Sequence, residues 1–119
     1  MARLIILLLL VLPLFACAHS NATKSGDGLR ASYVWGPEVN TMKPCGSDST
    51  FWVLASPEII GRLRAAQYRL QTKPYDQLFI RVLGQRSTRK TDGFAEDTDG
   101  YFEVTELLEV RQLQQAECT

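Results

Sequence analysis

The feature of this sequence that most restricts its fold is one helical repeat set between segments with strand-like alternation. From position 57 to position 70, apolar residues recur at intervals of three and four, the spacing of one helix face. These residues are Ile59, Leu63, Ala66 and Leu70. Ser56 can cap the free amides and Pro57 suits the first helical position. The sequence therefore predicts one amphipathic helix that ends between positions 71 and 74.

The segments before the helix have the composition of β-strands. Residues 29–35 and residues 50–55 are rich in aromatic and β-branched side chains. Gly36-Pro37 interrupts the first segment, and residues 38–43 then resume the strand-like pattern. We therefore expect one long first strand, bent in its middle.

Two alternating segments follow the helix, residues 77–86 and residues 101–110. The residues of the last segment expected to face inward are Phe102, Val104, Leu108 and Val110. Glu106 falls on the same face, so either a β-bulge lies there or that end of the strand is open to water. This order of elements favours a mainly β fold, a small five-stranded OB-like barrel with one amphipathic helix.

The first 16 residues have the pattern of a lipoprotein signal peptide. Arg3 precedes a run of Leu, Ile and Val over positions 4–12, which is shorter than the roughly 20 apolar residues of a membrane span. Leu14-Phe15-Ala16-Cys17 resembles the lipobox of bacterial lipoproteins, which implies cleavage before Cys17 and its acylation. The alternative is an ordinary cleaved signal peptide with an incidental cysteine.

The predicted anchor leads into a tether and one folded domain. Residues 17–28 are expected to be the lipidated cysteine and a flexible tether, because residues 18–28 lack large apolar side chains. In such lipoproteins an acidic residue directly after the cysteine implies retention in the inner membrane. Here that residue is Ala18. The expected location is therefore the inner leaflet of the outer membrane, with the domain facing the periplasm. Residues 29–119 then form one small barrel domain.

The cysteine count predicts a disulfide, and the charge balance restricts the class of partner. Three cysteines leave an odd one in an exported protein. If Cys17 carries lipid, an oxidising compartment predicts a disulfide between Cys45 and Cys118. Lys and Arg together number 13, as do Asp and Glu. Because a balanced chain has no basic excess for a phosphate backbone, a nucleic-acid partner is not expected.

Aromatic residues are the main candidates for a binding face. OB-type barrels bind oligosaccharides, single strands or peptides on aromatic strand faces, and the candidates here are Tyr33, Trp35, Trp52 and Tyr101. The same side chains could instead fill the core. No Gly-x-Ser-x-Gly or His-Glu-x-x-His motif is present, and the single histidine, His19, falls in the tether. An enzyme is therefore not expected.

Two patterns resemble metal sites, and each has a structural explanation. Met42 and Cys45 offer soft sulfur atoms suited to Cu(I), but a disulfide-bonded Cys45 cannot bind as a thiolate. Residues 95–106 match a calcium loop in part, although its first position is Ala95 and its last, Glu106, lies in a predicted strand. We therefore expect a hairpin turn in this region, with no metal and no cofactor.

Two stretches and one cysteine carry a resemblance to a known family. Residues 33–53 (YVWGPEVNTMKPCGSDSTFWV), residues 90–104 (KTDGFAEDTDGYFEV) and Cys118 resemble the C-terminal OB-fold domain of NlpE-type envelope lipoproteins, a family associated with copper tolerance and surface-adhesion stress. The resemblance spans residues 31–118 and implies a lipid-anchored, envelope-facing barrel. Members of that family also carry a Cys-x-x-Cys motif that this sequence lacks, so the resemblance implies no copper-linked activity here.

These observations lead to two hypotheses about function, besides a third in which the protein stores or senses metal and binds Cu(I) through Met42. The first is a non-catalytic binding or envelope-stress signalling module, held in the membrane through Cys17, with an envelope protein as its partner. The alternative is an inhibitor of lysozyme or another envelope hydrolase, because small disulfide-held β lipoproteins can block such enzymes by inserting a loop. In that case the acidic turn with Asp97 and Asp99 would face a cationic enzyme.

Overall fold

Five strands and one helix make up the part of the chain that the computed structural model describes, residues 27–119. In chain order they are β1 (Leu29–Gly36), β2 (Val39–Pro44), β3 (Phe51–Leu54), α1 (Pro57–Leu70), β4 (Leu78–Arg86) and β5 (Tyr101–Gln112), with a short 3-10 turn at Gly93–Ala95 between the last two. The predicted signal peptide (residues 1–16) and the predicted lipidation site, Cys17, lie outside the described residues. Within that part, no helix has the length and apolar character needed to cross a membrane.

The strands close into a barrel in the order β1-β2-β3-β5-β4, with β4 pairing back onto β1. All neighbouring strands are antiparallel except β3 and β5, which are parallel. The helix provides the connection between β3 and β4. This is the mainly β, OB-like five-stranded barrel with one helix that the sequence predicts.

The chain reverses direction at Pro37 and does not bend there. Gly36 pairs with Val39, so Pro37 and Glu38 form the turn of a tight hairpin between β1 and β2. Proline has no N–H to offer a strand ladder, and its fixed φ suits a turn position. The expectation of one long bent strand is therefore wrong, and the reversal supplies the fifth strand of the barrel.

Irregular pairing between β4 and β5 decides which β5 residues face the core. The register shifts twice along this pair, and each shift leaves one extra residue on β5. An extra residue moves the side chains beyond it to the opposite face. Leu107 is therefore buried, Leu108, which was expected to face inward, is only half-buried, and Glu106 is exposed. Of the two alternatives for Glu106, the β-bulge is confirmed.

The helix begins where the sequence predicts and packs one face against the barrel. The Ser56 hydroxyl accepts a hydrogen bond from the Ile59 N–H at 3.3 Å. Ile59, Leu63 and Ala66 are buried, as the helical spacing predicts, and the polar Gln67 is buried with them. The core contains residues of all five strands and the helix; its largest fully buried members include Tyr33, Met42, Leu63, Ile80 and Val53.

The chain after β5 forms a segment that we call the C-terminal strap, residues 113–119. The predicted disulfide is present and joins Cys118 to Cys45, which directly follows β2. Glu117 accepts hydrogen bonds from both terminal nitrogens of Arg111, each at 2.7 Å. Phe79, which alternation turns to the outside of the barrel, is nonetheless buried, and the Arg111 guanidinium lies 3.9 Å from its ring centroid. The strap therefore fixes Arg111 over this side of the barrel through Glu117.

Candidate functional site

The four aromatic residues expected to form one ligand face are divided between the inner and the outer face of the barrel wall. Tyr33 and Trp35 alternate along β1 on the inward side, and Tyr33 is fully buried. Trp52 and Tyr101 are paired neighbours of β3 and β5, on the opposite side. The sequence could not separate these two pairs, because the β1–β2 hairpin and the pairing of β3 with β5 decide which face of the barrel each side chain occupies.

Tyr33 and Tyr101 have their hydroxyls engaged within the protein. The Tyr33 hydroxyl donates to Asn40 Oδ1 at 2.6 Å, and burial of the ring raises the pKa of that phenol. The Tyr101 hydroxyl donates to Asp92 Oδ1 at 2.6 Å, and the Arg89 guanidinium lies 4.6 Å from its ring centroid. Both rings are buried, so the structure places them in the core and under the β4–β5 loop, and neither is presented to a ligand.

Trp35 belongs to a cleft that was not expected from the sequence, and we call it the aromatic cleft. It has a volume of about 320 Å³ and lies where the β1–β2 turn, the end of α1 and the loop after α1 meet. Its lining residues are Trp35, Gly36, Pro37, Tyr68, Gln71, Pro74 and Tyr75. The side chains of Tyr68 and Tyr75 are 63% and 52% exposed, so two large aromatic rings are open to a ligand here.

Close ring contacts give the aromatic cleft its shape. The ring centroids of Trp35 and Tyr68 are 5.5 Å apart in an edge-on arrangement, and the Arg64 guanidinium lies 5.9 Å from the Trp35 centroid. Tyr75 lies directly on Gly36, where even a Cβ atom would collide with the ring. Glycine at position 36 is therefore required for this packing.

Tyr75 is held in a conformation that a non-glycine residue seldom adopts. Its φ of 61° lies in the left-handed region, which costs free energy unless the surrounding structure enforces it. The enforcing contacts come from the next residue, Asp76, whose Oδ2 accepts hydrogen bonds from the Thr72 N–H at 3.0 Å and the Thr72 hydroxyl at 2.8 Å. The same hydrogen bonds from Thr72 hold the pKa of the Asp76 carboxyl below its ordinary value.

A buried amide connects the three elements that form the aromatic cleft. Gln67 Oε1 accepts from the backbone N–H of Trp35 at 3.1 Å. Gln67 Nε2 donates to the backbone carbonyl of Asp76 at 2.7 Å and to Gln71 Oε1 at 3.1 Å. Gln67 is 1% exposed. Because a buried amide is costly unless its hydrogen bonds are made, this arrangement holds β1, the helix end and the following loop in one geometry.

The acidic residues considered at the sequence level are not gathered into a site. Asp99 Oδ2 accepts from the Thr50 N–H at 2.8 Å and so ties the β4–β5 loop to the start of β3, while Asp97 is exposed. Across residues 27–119, no group of three or more His, Cys, Asp or Glu side chains is arranged to hold a metal ion. The aromatic cleft, with its exposed rings, is therefore the candidate site of this domain.

Tyr68, Tyr75 and Gln67 are the site residues that sequence reasoning missed. Gln67 had a signal, because it follows Leu63 by four positions and thus falls on the apolar face of the helix, where a polar residue needs partners. Tyr68 lies on the polar face and Tyr75 in a loop, and neither position carries a pattern that indicates a site. No family model matches the chain, and neither curated proteins nor solved structures match it.

Proposed function

We propose that this protein is a lipid-anchored, non-catalytic binding module of the bacterial cell envelope, and that the aromatic cleft is its ligand-binding site. The observation that carries the proposal is the pair of exposed rings, Tyr68 and Tyr75, held beside Trp35 by the buried Gln67. Exposed aromatic rings in a fixed concave arrangement are typical of binding sites, because they bury a large area at little entropic cost when a ligand arrives.

The position of the aromatic cleft supports an envelope role. The proposed anchor on Cys17 and its tether lead into the start of β1 at Leu29, whereas Trp35 lies near the other end of that strand. An eight-residue strand is about 26 Å long. The cleft would therefore be at the end of the barrel farther from the tether, and a ligand beyond the membrane surface would meet it first.

The test is photo-crosslinking in living cells with the full-length lipidated protein. A photoreactive phenylalanine analogue replaces Tyr68 or Tyr75 in the cleft, or Phe94 on the β4–β5 loop as the control. Phe94 is 65% exposed, so the control ring is as accessible as Tyr68 but lies at the other end of the barrel. We expect one product that forms from positions 68 and 75 and not from position 94. If neither cleft position gives a specific product, the proposed binding role is wrong.

The anchor is tested separately by Cys17→Ser. Because acyl chains on this cysteine would hold the protein in the membrane, we expect the variant to move from the membrane fraction to the soluble fraction. A variant that stays with the membrane would show that the anchor is not on Cys17. The crosslinking experiment is repeated with this variant, which shows whether the partner is met only at the membrane.

A second candidate, inhibition of an envelope hydrolase, is favoured by one feature of the β4–β5 loop. Phe94 projects from this loop near the exposed Asp97, which gives an apolar tip beside a negative charge. Such a tip suits the cleft of a cationic enzyme. We expect an inhibitor to slow lysozyme at micromolar protein and to lose this effect in Phe94→Ala. Unchanged lysozyme activity would exclude this candidate for that enzyme.

A further inference from the structure

We propose that the aromatic cleft binds a proline-rich peptide in the polyproline II conformation, with an acidic residue beside its prolines. This inference rests on the proposed function, because it names the ligand class for the same cleft. Three observations carry it: the hydrogen-bonding groups that the cleft leaves free, the arrangement of its rings, and the charge along its edge.

The free side-chain polar groups of the aromatic cleft are mostly donors. Within residues 27–119, the hydrogen bonds of Trp35 involve its backbone, which leaves the indole N–H, a group that can only donate. Gln71 Oε1 already accepts from Gln67, so the amide N–H groups of Gln71 remain. No carboxylate lines the cleft, and the nearby Asp76 carboxylate accepts from Thr72. A matching ligand must therefore supply acceptors.

A polyproline II segment has this property. Proline lacks an N–H, and the polyproline II backbone makes no internal hydrogen bonds, so its carbonyl oxygens are free acceptors. Sugar hydroxyls, by contrast, donate as well as accept, and the lining side chains offer them acceptors mainly through the hydroxyls of Tyr68 and Tyr75. The balance of donors and acceptors therefore favours the peptide over an oligosaccharide.

The shape of the aromatic cleft fits the same ligand. Aromatic side chains that form shallow grooves are the usual receptors of proline-rich segments, because the flat pyrrolidine rings pack between them. One turn of polyproline II contains three residues and is about 9 Å long. A cleft of about 320 Å³ between Trp35, Tyr68 and Tyr75 is small for a ligand site and suits one such turn.

The edge of the aromatic cleft carries positive charge. Arg64 lies over Trp35, and Arg69 and Lys73 are exposed on the same helix end and loop. The acids near the cleft are Glu38 on the neighbouring turn and Asp76 after Tyr75, so the three cations outnumber two acids. A carboxylate next to the proline segment would pair with Arg64, and this attraction would weaken as salt screens it. The charge therefore selects an acidic flank over a basic one.

The experiment measures peptide binding to the full-length protein in detergent micelles. Trp52→Phe leaves Trp35 as the only tryptophan, so its fluorescence reports on the cleft. The probes are an octaproline peptide with two glutamates at one end, the same peptide with two lysines, a glycine-serine peptide with two glutamates, and a chito-oligosaccharide. We expect saturable binding of the acidic proline peptide, and binding at least about fivefold weaker for the lysine peptide at low salt.

Cleft variants show where the peptide binds. We expect Tyr68→Ala and Tyr75→Ala to weaken binding at least about tenfold, as aromatic anchors do, while Phe94→Ala has no effect. Tyr68 is largely exposed, so its removal leaves the barrel folded, and an unchanged thermal midpoint verifies this. Arg64→Gln should reduce the preference for the glutamate flank without abolishing binding, which a purely structural role of Arg64 would not do.

Three results would overturn the inference. The first is equal binding of the glycine-serine and proline peptides, and the second is proline binding that neither tyrosine substitution changes. The third is a response to the chito-oligosaccharide that requires Tyr68, with none to the proline peptide. In this third case the cleft would still be a binding site, so the proposed function would stand, whereas absent crosslinking at positions 68 and 75 would remove the proposed function itself.

Discussion

Two segments lie against the outside of this barrel, and they are held in different ways. The C-terminal strap is attached through the Cys45–Cys118 disulfide and the ion pair between Glu117 and Arg111. The loop of residues 71–77 is attached through neutral hydrogen bonds to Gln67 and a turn closed by Asp76. Glu117 of the strap holds Arg111 over the buried Phe79 ring, whereas the loop leaves Tyr75 exposed.

The difference shows where a small barrel can keep a binding site. In the strap, Glu117 and Arg111 satisfy each other, and the disulfide fixes the segment to the end of β2. At the loop, the hydrogen bonds of Gln67 satisfy the backbone of the surrounding elements. Within residues 27–119, no hydrogen bond engages the indole N–H of Trp35 or the hydroxyls of Tyr68 and Tyr75. One segment therefore mainly stabilises the fold, and the other maintains the geometry of the aromatic cleft. The predictions below test this division.

The largest expected effect is loss of the disulfide in the double variant Cys45→Ser with Cys118→Ser. The bond links residues 73 positions apart, and closing a loop of this length stabilises by about 4 kcal/mol in the chain-entropy model. Urea unfolding should show this loss of stability. In the Trp52→Phe background, the folded fraction should keep its Trp35 fluorescence response to the acidic proline peptide. If binding at the aromatic cleft disappears while the barrel is still folded, the strap also maintains the cleft, and the division of roles between the two segments is wrong.

The next largest effect is expected for Gln67→Ala. Removal of this buried amide leaves a cavity and unpairs the Trp35 N–H and the Asp76 carbonyl, which should cost about 3 kcal/mol. Unlike loss of the disulfide, this change should also weaken binding at the aromatic cleft. Gln71→Ala is the matched control, with an expected cost of about 1 kcal/mol or less because Gln71 is only half-buried. Equal costs for the two variants would contradict the role assigned to Gln67.

Gly36→Ala tests the contact between β1 and Tyr75. The added methyl group would meet the Tyr75 ring, so we expect destabilisation of about 1–3 kcal/mol and displacement of the ring from the cleft. In the Tyr75→Ala background the same substitution should cost much less, because the colliding ring is absent. Thermal unfolding of the four proteins gives this coupling energy, and additive effects would show that the contact is not the cause.

Gly61→Ala is the control for the glycine substitution. Gly61 lies inside α1, and an added Cβ would meet no atom within 4 Å. Alanine is the better helix former by about 0.8–1.0 kcal/mol. We therefore expect a small gain in the free energy of unfolding, with no change at the aromatic cleft. A loss of stability here would mean that glycine substitutions in this domain cannot be interpreted through local contacts.

The smallest effect is expected in the acid dependence of the strap. Hydrogen bonding to Arg111 lowers the pKa of Glu117 from 4.5 to about 2. A carboxyl group whose pKa is lower in the folded state adds stability above its unfolded pKa, and this contribution is lost as the pH falls from about 4.5 towards 2. Urea unfolding of the wild type and Glu117→Gln should therefore differ most near neutral pH and converge near pH 2. A difference that does not shrink with acid would mean that packing, and not charge, explains the effect of Glu117.

Local sequence patterns predicted the elements of the fold because their signals span few residues. The helix from Pro57 to Leu70 follows from one spacing and one cap, and the predicted disulfide follows from the cysteine count. The hairpin at Pro37 was missed, because a glycine-proline pair is compatible with a bend or a reversal. Leu108 was wrongly placed inward, because Glu106 indicates an irregularity in β5 but the positions of its two bulges depend on pairing with β4.

The sequence by itself determined the class of the fold, the position of the helix and the balance of charge, since these depend on composition and short-range periodicity. Only the tertiary structure decided that Tyr33 and Tyr101 are buried and that Trp35 meets Tyr68 and Tyr75 in one cleft. Barrel closure brings a strand end, a helix end and a loop together, and contacts between such distant segments depend on the geometry of the whole chain. The candidate site is therefore a property of the closed barrel.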